Sequence, residues 1–164
     1  MIRVLFVCLG NICRSPMAEG IFNDLVIKNG LQNDLICDSA GTADYHVGKL
    51  PDPRMRQTAQ RHQINLTHVG RQLNCDDLVS FDYVLAMDTT NREDILSLRW
   101  SDKTSSRAKV MLMRNFDPTP GTGSVPDPYY GGQDGFEDVY QMLKRCNKAF
   151  LAFLREEHFK QKWL

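Results

Sequence analysis

Five residues, Leu9-Gly10-Asn11-Ile12-Cys13, separate Cys8 from Arg14, and Ser15-Pro16 follow directly. That spacing suits a loop that grips an anion around a nucleophile. Ahead of it, Ile2 to Cys8 is a largely apolar run of the kind found in a strand covered on both faces. A short loop curling from a strand into a helix turns its backbone N–H groups inward, where they form an anion nest. Gly10 and Asn11 are the residue types that best tolerate the dihedrals of such a curl. Arg14 adds a planar fork of donors matched to two phosphate oxygens. The helix terminus, Arg14 and the Ser15 hydroxyl all favour thiolate over thiol at Cys8. Comparable surroundings lower a cysteine pKa from ~8.5 into the range ~3.5–7.5. Cys8 then reads as a nucleophile, and Leu9, Gly10, Asn11, Ile12, Cys13, Arg14 and Ser15 as its phosphate cradle. The competing reading, a buried structural cysteine, suits an isolated Cys better than this combination.

Such a loop needs a strand before it and a helix after it. Ser15 is expected as N-cap with Pro16 at the first helical position. Met17, Ile21, Phe22, Leu25 and Val26 share one helical face, and Gly30 closes the segment. Further strands are expected at 35–39, 83–87 and 109–113, with helices from about 54 to 62 and after 87. The latter carries a capping box, Thr90 with Glu93. The stretch 117–132 holds four prolines and four glycines, so it reads as a long surface loop, and loops of that length are often functional. A last helix begins at Asp134 with Glu137, and Val139, Leu143, Cys146, Phe150 and Leu154 follow helical spacing. The alternation predicts a three-layer α/β/α fold, a central four-stranded parallel sheet with the phosphate-binding loop after strand 1, in a single domain over 1–164. Ligands of such folds bind beyond the carboxyl ends of the strands, where Cys8 lies.

Composition narrows the class. The 164 residues are 42% hydrophobic and 24% charged, ordinary for a soluble globular domain. Acidic and basic residues number 20 each, which argues neither for nor against a nucleic-acid or membrane partner, and neither is expected. The N-terminus lacks the long apolar region of a signal peptide, and no run approaches the ~20 residues of a membrane span. Five scattered cysteines, an odd number, suggest a reducing cytoplasmic setting. The histidines at 46, 62, 68 and 158 show no ligand spacing, so neither metal nor other cofactor is expected.

The run Val7-Cys8-Leu9-Gly10-Asn11-Ile12-Cys13-Arg14-Ser15-Pro16-Met17-Ala18-Glu19 closely resembles the signature of low-molecular-weight protein tyrosine phosphatases. The resemblance continues through Asp38-Ser39-Ala40, Thr67-His68 and Phe81-Asp82-Tyr83 to Asp127-Pro128-Tyr129-Tyr130. It implies a metal-independent hydrolase in which Cys8 forms a phosphocysteine, Arg14 holds the phosphoryl oxygens and Asp127 is the general acid. On residue chemistry alone, Asp127 before a proline would be a turn residue. The resemblance also makes Asn11, Ser15, Ser39 and His68 braces of the loop. Ile12, Tyr45, Tyr129 and Tyr130 become walls for an aromatic substrate. The implied partners are phosphotyrosine-containing proteins, with inorganic phosphate as product and the chain a monomer or weak homodimer.

Other readings share the Cys–five–Arg spacing. Rhodanese-like sulfurtransferases are one. An arsenate reductase of the same fold pairs further cysteines late in the chain, whereas Cys75 and Cys146 stand apart. A phosphoarginine phosphatase typically has threonine in place of Ile12 and lacks the paired tyrosines. A silent phosphate-binding module needs neither nucleophile nor acid. Cys13 raises a separate expectation, a reversible Cys8–Cys13 disulfide that protects the nucleophile.

Overall fold

The computed structural model describes residues 1–101, 106–121 and 123–160. Its strands are β1 (Ile2–Cys8), β2 (Leu35–Gly41), β3 (Tyr83–Ala86) and β4 (Lys109–Leu112). Its helices are α1 (Arg14–Lys28), α2 (Pro53–Arg61), α3 (Asp77–Ser80), α4 (Thr89–Ser101) and α5 (Gln133–His158). The strands form one parallel sheet in the order β2-β1-β3-β4, as the alternation of elements predicts. The chain leaves β1 toward β2 on one side, and β3 returns to pair with β1 on the other. That reversal opens a crevice at the carboxyl end of β1, beside Cys8.

Strand β1 shows why both faces must be covered. Val4, Phe6 and Cys8 join a core with Phe22 of α1 and Phe150 of α5, while Leu5 and Val7 join Leu78 and Ile95 on the opposite face. Side chains alternating at period two thus feed two cores, giving three layers. On the first face the Phe6 and Phe22 rings meet edge-on at 5.6 Å. Helix α1 ends at a glycine with φ of 67°, where Gly30 N–H bonds Ile27 O and Leu31 N–H bonds Val26 O. Both orphan carbonyls are met as a left-handed cap requires.

Several boundaries depart from the sequence reading. Helix α1 starts at Arg14 after Cys13, which makes no side-chain cap. Ser15 therefore lies inside the first turn and its hydroxyl is turned to the loop instead. Strand β2 runs on to Gly41, because Cys8 pairs with it and the segment after His68 bonds its far side: Gly41 N–H to Arg71 O, and Leu73 N–H to Gly41 O. A Cβ at Gly41 would stand 2.8 Å from Leu9 O, so only glycine lets the loop pass so near. Helix α4 is capped by Asp88, whose Oδ1 accepts the Asn91 N–H at 2.7 Å. The Thr90–Glu93 box is inside the helix. The short helix α3 had no counterpart in the sequence reading; it is held by Asp77, which accepts from Asn74 N–H and from both Nη atoms of Arg71.

The long loop is anchored at its start. The Asp117 side chain is shielded from solvent and lies 3.1 Å from the Nε of both Arg114 and Arg145. Burial opposes its charge, yet the Arg145 hydrogen bonds, the Thr119 N–H and Arg114 outweigh it, so its carboxyl titrates below the usual range. A depressed carboxylate contributes stability above its unfolded pKa, and that stability is lost as pH falls through the folded value. Replacing Asp117 by Ala leaves two arginines facing an uncompensated site. The expected cost is roughly 3 kcal/mol, read by urea denaturation at pH 7, with a smaller difference between wild type and variant near pH 2.

Candidate active site

The turn from β1 into α1 is set by Asn11, which adopts φ of 56°. This left-handed conformation is uncommon for a residue with a side chain, although Asn reaches it more readily than most. Gly10, expected to share that role, does not have positive φ among the described residues. Its smallness serves space instead, since a Cβ there would sit 3.0 Å from the His46 ring. Asn11 is held by its amide on both sides. Nδ2 donates to Ser15 Oγ at 2.8 Å and Ser39 Oγ at 3.0 Å, while Oδ1 accepts from His68 Nε2 at 2.8 Å and the Arg71 N–H at 3.0 Å.

Those bonds direct the hydroxyls. Ser39 accepts from Asn11 and gives its own hydrogen to Glu19 Oε2 at 2.6 Å. Ser15 also accepts from Asn11, so its hydrogen is available to Cys8 Sγ at 3.0 Å, a better partner than Ala40 O at 3.5 Å. The Asn11 N–H points at the same sulfur from 3.3 Å. Cys8, Asn11, Arg14, Ser15 and Ser39 are all buried. Sequence reasoning placed Asn11, Ser15, Ser39 and His68 together, and the structure brings them to one network. It missed Glu19 and Arg71, which complete that network from α1 and from the segment after His68.

Arg14 is pinned at Nη1 by Asp88 Oδ2 at 2.7 Å and Val125 O at 3.1 Å. Burial works against its charge, but Cys8, Asp88 and Asp127 outweigh it and raise its pKa further. Asp88 thus caps α4 with one oxygen and orients Arg14 with the other. No spacing signal marks it; only the strand-end position after β3 could have suggested it.

The long loop closes over this site through Val125, whose N–H bonds Met87 O at 2.7 Å while its carbonyl takes Arg14. Arg114 adds a bond to Ser124 O at 2.9 Å. Two residues on, Asp127 divides its carboxylate. Oδ1 accepts the Tyr129 N–H at 3.0 Å and caps the 3-10 turn Pro128–Tyr130, while Oδ2 lies 3.5 Å from Arg14 Nη2. Asp127 thus caps a turn with one oxygen, as its place before a proline suggests, and turns the other toward Arg14.

A cleft of about 290 Å³ stands over Cys8, lined also by Leu9, Ile12, Arg14, Asp127, Tyr129 and Tyr130. Tyr45 and His46 reach it from the loop before α2. Arg54 steadies one wall, stacking over Tyr129 at 5.5 Å and bonding its carbonyl at 3.3 Å. Asp52 joins that wall to the loop: its N–H bonds Ile12 O at 2.8 Å, and its carboxylate caps α2. The cleft sets Cys8, Arg14 and Asp127 beside the aromatic side chains of Tyr129 and Tyr130. Such a site can hold a phosphoryl group on an aromatic stem, offer it a sulfur nucleophile and supply a carboxyl across from it. Away from it, Glu19, Asp38 and His68 form a cluster with metal-ligand character.

The family model described as low molecular weight phosphotyrosine protein phosphatase matches residues 3–161. A low molecular weight phosphotyrosine protein phosphatase of Schizosaccharomyces pombe is 47% identical over 153 residues, 92% of this chain and 95% of that one. A protein tyrosine phosphatase of Entamoeba histolytica, solved with Hepes in its active site, superposes with a TM-score of 0.86 at 36% identity, covering 96% of this chain and 99% of that one. A drosophila arginine phosphatase superposes with a TM-score of 0.90 at 35% identity, covering 94% and 98%.

The remaining thiols differ from Cys8 in surroundings. Burial pushes Cys13 up, reinforced by Asp52, and burial likewise raises Cys37 and moves Cys146 to about 12. At pH 7, iodoacetamide is expected to modify Cys8 on the cleft floor and spare Cys13, Cys37 and Cys146 until denaturant is added. Peptide mapping by mass spectrometry reads this directly; early labelling of Cys13 would contradict it.

Proposed function

Because the chain belongs to the low molecular weight phosphotyrosine protein phosphatase family, we propose that it hydrolyses phosphotyrosine on proteins through a phosphocysteine on Cys8. The observation that carries this is the single cleft in which Cys8 Sγ, Arg14 and Asp127 meet beneath Tyr129. Cys8 attacks phosphorus as the thiolate, forming the S–P bond as the bond to the phenolic oxygen breaks. Asp127 gives its proton to that oxygen, so neutral tyrosine leaves. The loop N–H groups and Arg14 hold the equatorial oxygens, whose charge is spread in the transition state. Asp127, now a carboxylate, takes a proton from the attacking water; the S–P bond breaks and inorganic phosphate departs. No step calls on a metal.

Tyrosine is favoured over arginine as the stem by Ile12 and by the tyrosines at the mouth. Tyr129 and Tyr130 meet edge-on at 5.0 Å, and a phenyl ring entering the cleft finds apolar and aromatic surface on its faces. Tyr45, 67% exposed, stands at the rim and would touch residues beside the phosphotyrosine. Cys13 lines the same cleft. Peroxide would oxidise Cys8 to the sulfenic acid, and the Cys13 sulfur would displace water to give the disulfide, reversible by thiols. No described helix is long and apolar enough to cross a membrane. With five free cysteines, the reading is a single-domain cytoplasmic enzyme, monomeric or weakly dimeric.

Phosphotyrosine peptides are expected to turn over far faster than phosphoserine or phosphoarginine peptides, and Cys8→Ser to abolish turnover while phosphate still binds. Comparable rates on phosphoarginine would overturn the choice of stem. Asp127→Asn should lower kcat by about 10²–10⁴ on phenyl phosphate and much less on aryl phosphates with acidic leaving groups. Asp88→Asn, which removes the charged partner of Arg14 and leaves Val125 O, should cost up to ~10²-fold in kcat with the far-UV spectrum unchanged.

A further inference from the structure

Behind the loop lies a second cavity of about 200 Å³, which shares no lining residue with the Cys8 cleft and is bordered by Glu19, Cys37, Thr67 and His68. Glu19 comes from α1, Asp38 from β2 and His68 from the segment after α2. Each offers one ligand atom, all within 4.8 Å of one another.

The hydrogen bonds decide which histidine nitrogen is available. Asn11 Oδ1 accepts the Arg71 backbone N–H, a donor that cannot change role, so the Asn11 amide orientation is fixed. His68 Nε2, 2.8 Å from that same oxygen, must then be a donor. The other ring nitrogen, Nδ1, faces Glu19 Oε2 at 3.2 Å and Asp38 Oδ1 at 3.4 Å. A bare lone pair there would confront two carboxylates. Arg71 Nε already meets the outer oxygen of Asp38 at 3.0 Å, and Ser39 donates to Asp38 Oδ1 and Glu19 Oε2, so the gap at Nδ1 between the two carboxylates is where a further cation would sit.

Its dimensions suit a metal. Ligand bonds of ~2.0–2.1 Å in tetrahedral geometry set ligand-to-ligand edges of about 3.3 Å, close to both distances from Nδ1. One imidazole and two carboxylates are a donor set suited to Zn²⁺, whereas Mg²⁺ and Ca²⁺ favour all-oxygen shells. A metal-bound histidine usually donates its second N–H to an oxygen that fixes its tautomer, and Asn11 Oδ1 already does so. Water from the cavity can complete the shell.

We propose that Glu19, Asp38 and His68 bind one Zn²⁺, the ion replacing the hydrogen on Nδ1 and that proton passing to solvent. The ion joins three segments behind the loop that carries Cys8. It touches none of the groups that meet a phosphate, so it is a site separate from the cleft.

Cys8→Ser protein, which removes the cleft thiol as a competing ligand, is dialysed against micromolar Zn²⁺. About one equivalent is expected to bind, with only nitrogen and oxygen neighbours in the first shell by X-ray absorption. Glu19→Gln and Asp38→Asn in that background should each weaken binding by ~10-fold or more, and an equal concentration of Mg²⁺ should not displace the ion. Sulfur in the first shell, no binding at micromolar Zn²⁺, ready displacement by Mg²⁺, or unchanged affinity in both variants would each overturn the proposal. Where those two variants fold poorly, Glu137→Gln protein, which breaks the other histidine–carboxylate pair, should still bind one equivalent, and loss of binding there would overturn the assignment.

Discussion

The left-handed turn at Asn11 is the constraint on which the site depends. A non-glycine residue at φ of 56° persists only where its surroundings over-determine it. Here all four hydrogen-bonding positions of one amide are filled, by Ser15, Ser39, His68 and Arg71. The turn brings the Asn11 N–H to the sulfur and leaves the Ser15 hydroxyl free to donate to it. Buried polar networks of this kind are valuable only when complete. Glu19 completes this one by taking the Ser39 hydrogen, at the edge of the cavity where the metal proposal is made.

A second set of bonds brings a distant segment to the nucleophile. Asp127 lies more than a hundred residues after Cys8, in a loop rich in proline and glycine. It reaches the cleft because Asp117 is clamped by two arginines and Val125 is bound to both Met87 and Arg14. Asp88 ties this arrangement to the sheet, capping α4 while it holds Arg14. One arginine is therefore positioned by β1, by the end of β3 and by the long loop together. Such convergence preorganises charge before any substrate binds, and preorganisation is commonly the largest part of catalysis.

The cleft is asymmetric in chemistry. Cys8, Arg14 and Asp127 bring its charged and nucleophilic groups together, whereas its mouth is flanked by exposed aromatic and aliphatic side chains, Tyr130 at 87% exposure among them. Exposed aromatics are costly to leave in water without a purpose, and contiguous apolar surface marks a binding site more often than chance.

Much was legible in the sequence because it is local. The strand before Cys8, the anion-nest loop and the helix after it follow from neighbouring residue types, and the alternation of elements carried the parallel sheet. The family signature, also local, pointed to Asp127. What failed were choices between adjacent candidates: Ser15 and Thr90 are good capping residues by type, but the loop takes the Ser15 hydroxyl and Asp88 is already in place before Thr90. Helix α3 is too short to show a period and depends on Arg71, contributed from outside it. Asp88, Glu19 and Arg71 carry no spacing signal relative to Cys8, and four histidines without ligand spacing gave no hint of a Glu19–Asp38–His68 cluster. Hydrogen bonds between segments far apart in the chain depend on how the sheet brings those segments together. Sequence by itself determined the strand, loop and helix that carry Cys8 and Arg14; only tertiary structure decided what holds them, because the holding groups are neighbours in space alone.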